Sequence, residues 1–252
     1  MSKQPPAGQS IEAGRELVEI RREGEVLSFT LNNPECGNIV TGQMFDAMLA
    51  ELGNATSPQW ARVLRIRARG KVFCTGRERA GQDEETVRAE VARLIEFKRK
   101  VRTSSLIGVA EVQGDALGFG FGLAIVCDFV LVAKNASLGF PEMRHGLAPA
   151  AIMAYLGEYT LPRFAFPLVL FGEPIDPQRA LQIGLISQVC AEEQLASEGD
   201  ALIARILSLD AGATRRCKEF FLTAQNNSFE NNCTLAIEAL TQGTMAAPTR
   251  RK

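Results

Sequence analysis

Histidine is nearly absent from this chain: His145 is the only one in 252 residues. A His-rich metal site is thereby excluded, and any Ser-His-Asp or Cys-His device would have to use that one residue. The six cysteines stand at 36, 74, 127, 190, 217 and 233, and none forms a C-x-x-C pair. A zinc ribbon or thioredoxin-type site does not fit that spacing, and no metal is expected. Five of the six sit beside apolar or small residues, where a reduced thiol behaves as a small hydrophobe. No run of about 18 apolar residues exists, so no membrane span is expected. The first fourteen residues are polar, carry Pro5 and Pro6, and lack the apolar stretch of a signal peptide. The expected compartment is the reducing cytoplasm. Charge of either sign is also missing in excess. Twenty-eight Lys+Arg face 29 Asp+Glu, for a net charge of −1, which leaves no footprint for nucleic acid or an anionic membrane. The one basic tip, Arg250, Arg251 and Lys252, reads as a solvated terminus.

What is present is ordinary for a folded protein: 46% hydrophobic and 23% charged residues. A disordered chain would have fewer apolar residues and more net charge. At roughly 150 residues per domain, the length allows one or two domains. Alternating apolar residues predict strands over 25–31, 62–68, 106–112 and 129–133. Helical spacing predicts helices over 42–52 and 84–102, the latter with Val87, Val91, Leu94, Ile95 and Val101 on one stripe. A glycine-rich turn and an apolar helix over 118–127 lie between the last two strands. Strand and helix thus alternate, which argues for a mainly parallel, buried α/β arrangement. Beyond residue 145 the pattern turns helical, over 150–158, 177–183, 192–208, 213–225 and 229–243. The expected organisation is a flexible lead over 1–14, an α/β core over 15–190 and a helical region over 191–252.

Three segments carry candidate chemistry. Gly114, Gly118, Gly120 and Gly122 fall within nine residues, directly after a strand and at the start of a helix. Glycine at that density suggests unusual backbone angles or close approach. Amides at a helix start lack partners and suit an oxyanion or phosphate. Close helix–strand packing without a ligand is the competing reading. A dinucleotide-binding fingerprint from Gly118 would need glycine at Leu123, and no Gly-Lys-Ser/Thr phosphate loop exists. A second small turn, Phe73-Cys74-Thr75-Gly76-Arg77, also follows a strand. Two such turns could aim donors at one oxygen, as in an oxyanion hole. The third segment, Phe140-Pro141-Glu142-Met143-Arg144-His145-Gly146, places a carboxylate after an apolar stretch and a proline. A carboxylate held near a core suits acid–base work. His145, three residues on, is a possible assistant. Taken singly, Glu142 reads as a loop carboxylate and His145 as a structural residue.

Together these segments resemble the crotonase (enoyl-CoA hydratase/isomerase) superfamily. Val112-Gln113-Gly114-Asp115-Ala116-Leu117-Gly118-Phe119-Gly120, with Leu123 to Asp128 after it, is similar to that family's signature. Lys71 to Glu78 resembles its first oxyanion-hole turn. Phe140-Pro141-Glu142 with Gly146-Leu147-Ala148-Pro149 resembles its acid–base loop. Leu31-Asn32-Asn33-Pro34 with Asn38, and two later segments, 172–175 and 180–186, fit in order. The resemblance implies repeated ββα units followed by a helical trimerisation region, hence a homotrimer or dimer of trimers. It implies an acyl-CoA thioester as partner, with coenzyme A as part of the substrate and no permanently bound cofactor. By position, the backbone N–H groups of Arg77 and Phe119 would hold the thioester oxygen, and Glu142 would move the proton.

Three departures follow from the same resemblance. Hydratases of the family use a second glutamate, which falls here on Gly122, a residue with no side chain. Phe119 replaces a glycine and Phe121 a small residue, so Phe121 and Gly122 are expected to shape the acyl pocket. The family's last helix is expected to be missing after residue 245. One carboxylate is enough for double-bond isomerisation, which is therefore the expected activity. Hydration, thioester hydrolysis or decarboxylation are alternatives, as is a non-catalytic protein that binds an acyl-CoA or a partner.

Overall fold

The structure is a computed structural model that describes residues 17–56, 60–79 and 81–246. The expected lead over 1–14 and the basic tip at 250–252 lie outside the described residues. Eight strands and nine α-helices are present among those described. In chain order they begin with β1 (Val18–Glu23), β2 (Val26–Leu31), α1 (Gly42–Thr56), β3 (Val63–Ala68) and α2 (Glu84–Thr103). Then come β4 (Ile107–Val112), β5 (Ala116–Leu117), α3 (Phe119–Ile125), β6 (Phe129–Ala133) and β7 (Leu138–Gly139). The later half holds α4 (Ala150–Leu156), α5 (Pro162–Phe171), α6 (Pro177–Gln182), β8 (Gln188–Cys190), α7 (Leu195–Leu207), α8 (Ala211–Ala224) and α9 (Phe229–Ala246).

Six strands form one sheet in the order β1-β2-β3-β4-β6-β8. Only β1 is antiparallel to its neighbour; every other pairing is parallel. All six residues of β4 are buried, as a strand covered on both faces requires. One face packs the main core, built from Leu27, Phe29, Leu64, Ile66, Phe97 and Phe121 among others. A smaller cluster on the other face, with Val63, Val109 and Leu131, is covered by Leu195, Ile203 and Ile206 of α7. The mixed α/β expectation and the parallel sheet therefore hold.

Besides the two-residue strands β5 and β7, three elements went unread in the sequence. β1 has one fully buried residue in six and three exposed ones at its end, so no alternation marks it. β8 is three residues long. α5, PRFAFPLVLF, is apolar almost throughout and carries Pro167 inside it, which hides a helical period.

β5 and β7 form a second small sheet outside the main one. Ala116 pairs with Leu138 and Leu117 with Gly139, while Cys74 bridges Ala116. These short pairings draw the turn after β3, the start of α3 and the segment after β7 to one place.

Candidate active site

The first turn is anchored from below. Asn38, fully buried, donates from Nδ2 to the carbonyls of Arg69 (2.8 Å) and Val72 (2.7 Å). Its Oδ1 accepts from the amide of Asn33 at 2.8 Å. Gln113 donates to Gly70 and Val72 from the other side. Further along, the amide of Thr75 donates to the Gly37 carbonyl at 3.0 Å. Val40 then pairs in parallel fashion across Arg77: its amide donates to Gly76 O and its carbonyl accepts from Glu78 N. That pattern turns the amide of Arg77 itself to the opposite side. It donates to no group among the described residues.

The second turn closes on the first because its glycines permit it. A Cβ on Gly114 would collide with the carbonyl of Lys71, and one on Gly120 with the carbonyl of Cys74. The amide of Leu117 donates to Cys74 O at 2.9 Å, joining the two turns directly. Gly118 takes φ +53°, a left-handed value that favours glycine. Phe119 then opens α3, and its amide likewise has no acceptor among the described residues, as the first turn of a helix dictates.

Glu142 lies in a 3-10 turn, Pro141–His145, capped by Gly146 in the left-handed conformation. Its carboxylate rests against Gly118, where a Cβ would stand 3.0 Å from Oε1. Oε2 is buried and has no hydrogen-bond partner among the described residues. The end of α5 supports this turn: Gly172, at φ +61°, approaches Phe140 O so closely that a Cβ would stand 3.1 Å from it. In a 3-10 helix residues three apart share a face, so His145 follows Glu142 around the same cavity. The imidazole is exposed and makes no hydrogen bond to the carboxylate among the described residues.

Arg77, Gly118, Phe119, Glu142 and His145 all line one cavity of about 620 Å³. Phe121 and Gly122 are not among its walls. Phe121 is fully buried and stacks on Phe140 at 5.1 Å between ring centroids. Two residues along a helix turn a side chain roughly 200° away, so Phe119 and Phe121 serve different faces. Phe121 and Gly122, both expected to shape the acyl pocket, therefore lie off the wall of this cavity.

Gly122 is screened by a residue the sequence reading passed over. A Cβ placed on it would collide with Lys98 Nζ and stand 2.7 Å from the Tyr155 hydroxyl and 2.5 Å from Ile152 Cδ1. Lys98 projects from α2 into this space and is a wall of the same cavity as Glu142. Its ammonium donates to Tyr155 Oη at 2.7 Å, and that hydroxyl donates to Gly122 O at 3.1 Å. Nζ also lies 5.0 Å from the centre of the Phe119 ring. Burial pushes the ammonium down to about 7, against the upward pull of Glu142. Burial also pushes the nearby Cys74 thiol up to about 12, which leaves it neutral and inert at ordinary pH. The available signal was spacing: Lys98 sits four residues after Leu94 and three before Val101, on the apolar stripe of α2.

Comparison with known proteins agrees with this architecture. A family model described as enoyl-CoA hydratase/isomerase matches residues 21–248. The 2,3-dehydroadipyl-CoA hydratase of Escherichia coli K12 is 30% identical over 187 residues, 69% of each chain. Enoyl-CoA hydratase domain-containing protein 3, mitochondrial, of Rattus norvegicus is 27% identical over 239 residues, 93% of this chain and 79% of that one. A Thermobifida fusca YX protein solved in complex with acetoacetyl-CoA superimposes with a TM-score of 0.85 and 28% identity. That match covers 97% of this chain and all of the other.

Proposed function

Because this chain belongs to the enoyl-CoA hydratase/isomerase family, we propose that it acts on an acyl-CoA thioester as a double-bond isomerase. In this reading the amides of Arg77 and Phe119 receive the thioester oxygen. Glu142 takes a proton from the α- or γ-carbon, and the enolate that forms is held by the two amides. Each such donor is typically worth about 3 kcal/mol in the transition state. Movement of the proton to the other end of the system shifts the double bond without adding water. The observation that carries this reading is one cavity lined by two residues whose amides, and a carboxylate whose buried oxygen, have no partner among the described residues. The cavity has room for an acyl group, and Arg79 on its wall supplies positive charge for an anionic carrier. Coenzyme A enters and leaves as part of the substrate. All six cysteines are free thiols, three of them buried, which supports a reducing compartment, the cytoplasm in our reading. Among the described residues no helix is long and apolar enough to cross a membrane.

Hydration is the second reading, favoured by the names of the relatives. Incubation with 3-hexenoyl-CoA and with crotonyl-CoA separates the two. An isomerase yields a product of unchanged mass from the first, whereas a hydratase adds one water to the second. Glu142→Gln is expected to lower turnover by about 100-fold or more while thioester binding stays measurable by calorimetry. Wild-type turnover in that variant overturns the role given to Glu142.

A further inference from the structure

Glu142 is not the only proton-exchanging group on the wall of this cavity. Lys98 reaches it from α2, and its residue is only 3% exposed. Among the described residues no carboxylate pairs with it. An ammonium has three donors; one goes to Tyr155 Oη, and the phenol donates onward to Gly122 O. The chain of donors thus fixes where Nζ sits, and it leaves donor capacity unspent inside an apolar and aromatic enclosure. An unpaired buried charge costs several kcal/mol, which a purely structural position would avoid with a methionine or leucine. The space Nζ fills is the space Gly122 leaves by having no side chain.

We propose that Lys98 is a second acid–base group of this cavity, delivering a proton to the acyl carbon at the opposite end from the one Glu142 deprotonates. The proposal rests on the thioester reading above for the formation of the enolate. Glu142 breaks a C–H bond at the α-carbon and becomes a carboxylic acid, and the electron pair moves onto the thioester oxygen. As the carbonyl re-forms, the γ-carbon takes a proton from the Lys98 ammonium, a C–H bond forms and a neutral amine remains. Glu142 then releases its proton to solvent and the Lys98 amine takes one up from solvent, so both groups are restored and nothing is oxidised or consumed.

The electrostatics suit that task. The groups facing Lys98 are Tyr155 from α4, Glu142 from the 3-10 turn, and Cys74 and Arg77 from the turn after β3. Tyr155 and Cys74 are neutral near pH 7, since burial pushes both up. Glu142 and Arg77 pull in opposite senses, and burial brings the ammonium to about 7, where it gives up and regains a proton readily.

The test is isomerisation of 3-hexenoyl-CoA in D2O with the full chain. A lone shielded carboxylate carries substrate hydrogen across, whereas an ammonium delivers hydrogen drawn from solvent. The wild type is expected to place solvent deuterium at the newly protonated carbon. Lys98→Met is expected to lose about 100-fold in rate, to keep substrate hydrogen in its residual product, and to lose the decline in kcat above about pH 7. Exchange of the α-hydrogens of butyryl-CoA reads the underlying thioester chemistry separately. It remains measurable in Lys98→Met and disappears in Glu142→Gln. Absence of that exchange in the wild type overturns both readings. Exchange in Lys98→Met together with wild-type rate and isotope pattern overturns the role of Lys98 alone. Should Lys98→Met lose exchange too, Tyr155→Phe decides: it leaves the ammonium without its acceptor and must move the pH profile, and an unmoved profile overturns the proposal.

Discussion

Asn38 holds a left-handed backbone (φ 53°) that most residues avoid, and three hydrogen bonds hold it there. Its side chain ties the loop after β2 to the turn that presents Arg77. Asn38→Ala removes all three bonds and adds the backbone strain of a side chain without local polar compensation. A loss of about 2–4 kcal/mol is expected in urea denaturation, with a parallel loss of turnover as the turn loosens. A change within about 0.5 kcal/mol would show that the loop is held by other means. At this scale the sequence was legible where chemistry clusters along the chain, as at Glu142 and Gly118. It was not legible at Lys98, whose neighbours Tyr155 and Gly122 are distant in sequence. Lys98 has a stability signature of its own. The folded state holds its proton down to about 7, whereas the unfolded chain keeps the ordinary lysine value. Between those values the unfolded state binds more protons, so this residue's contribution to stability improves as pH rises. Below pH 7 both states are protonated and the cost of the buried charge is fully present. The stability of the wild type relative to Lys98→Met is therefore expected to rise from pH 7 to pH 10. A flat difference would mean that the ammonium is not held in that environment.

Helix α3 is where the competing readings of the glycine-rich segment meet. Close packing is the reason for Gly114 and Gly120, since each faces a carbonyl oxygen that a Cβ would strike. Gly118 answers to backbone conformation and to the Glu142 carboxylate. The two explanations are therefore not alternatives, because close packing is what brings the two free amides to one cavity. Gly120→Ala is expected to push α3 away from Cys74, to cost about 1–3 kcal/mol or more, and to depress kcat more than thioester affinity. Denaturation and steady-state kinetics on the same preparation check both parts. Retained kcat at wild-type stability would show that α3 has slack. A glutamate at 122, attractive from sequence alone as a way to restore a second carboxylate, has no room unless Lys98, Ile152 and Tyr155 move. The period of hydrophobicity marked most elements to within a few residues. β1 and α5 escaped because one is too polar and the other too uniformly apolar to show a period. α5 matters for the site all the same, since its end supports the turn that carries Glu142.

On the scale of the whole molecule, the sheet and its two apolar faces account for the core, and the helical end of the chain is bound to it by few but specific contacts. Lys218 of α8, almost fully buried, donates to the Leu106 carbonyl and to Asp128 Oδ2 at 2.7 Å. The same carboxylate oxygen accepts from the Gly108 amide at 2.6 Å. α9, by contrast, has no buried residue over 229–245, and Phe229, Ile237, Leu240 and Met245 are 69% exposed or more. Phe166 and Phe171 of α5 are also exposed, at 61% each. Monomers seldom leave so many large apolar side chains in water. We propose that these faces are covered by other copies of the chain in a homotrimer or a dimer of trimers. Light scattering after gel filtration is expected to give three or six times the 27.4 kDa chain mass. Ile237→Asp with Leu240→Asp is expected to lower that mass while leaving the far-ultraviolet circular dichroism of the core in place, because neither residue packs inside the subunit. A wild-type mass equal to one chain would overturn the assembly, and with it the reason for keeping these residues apolar.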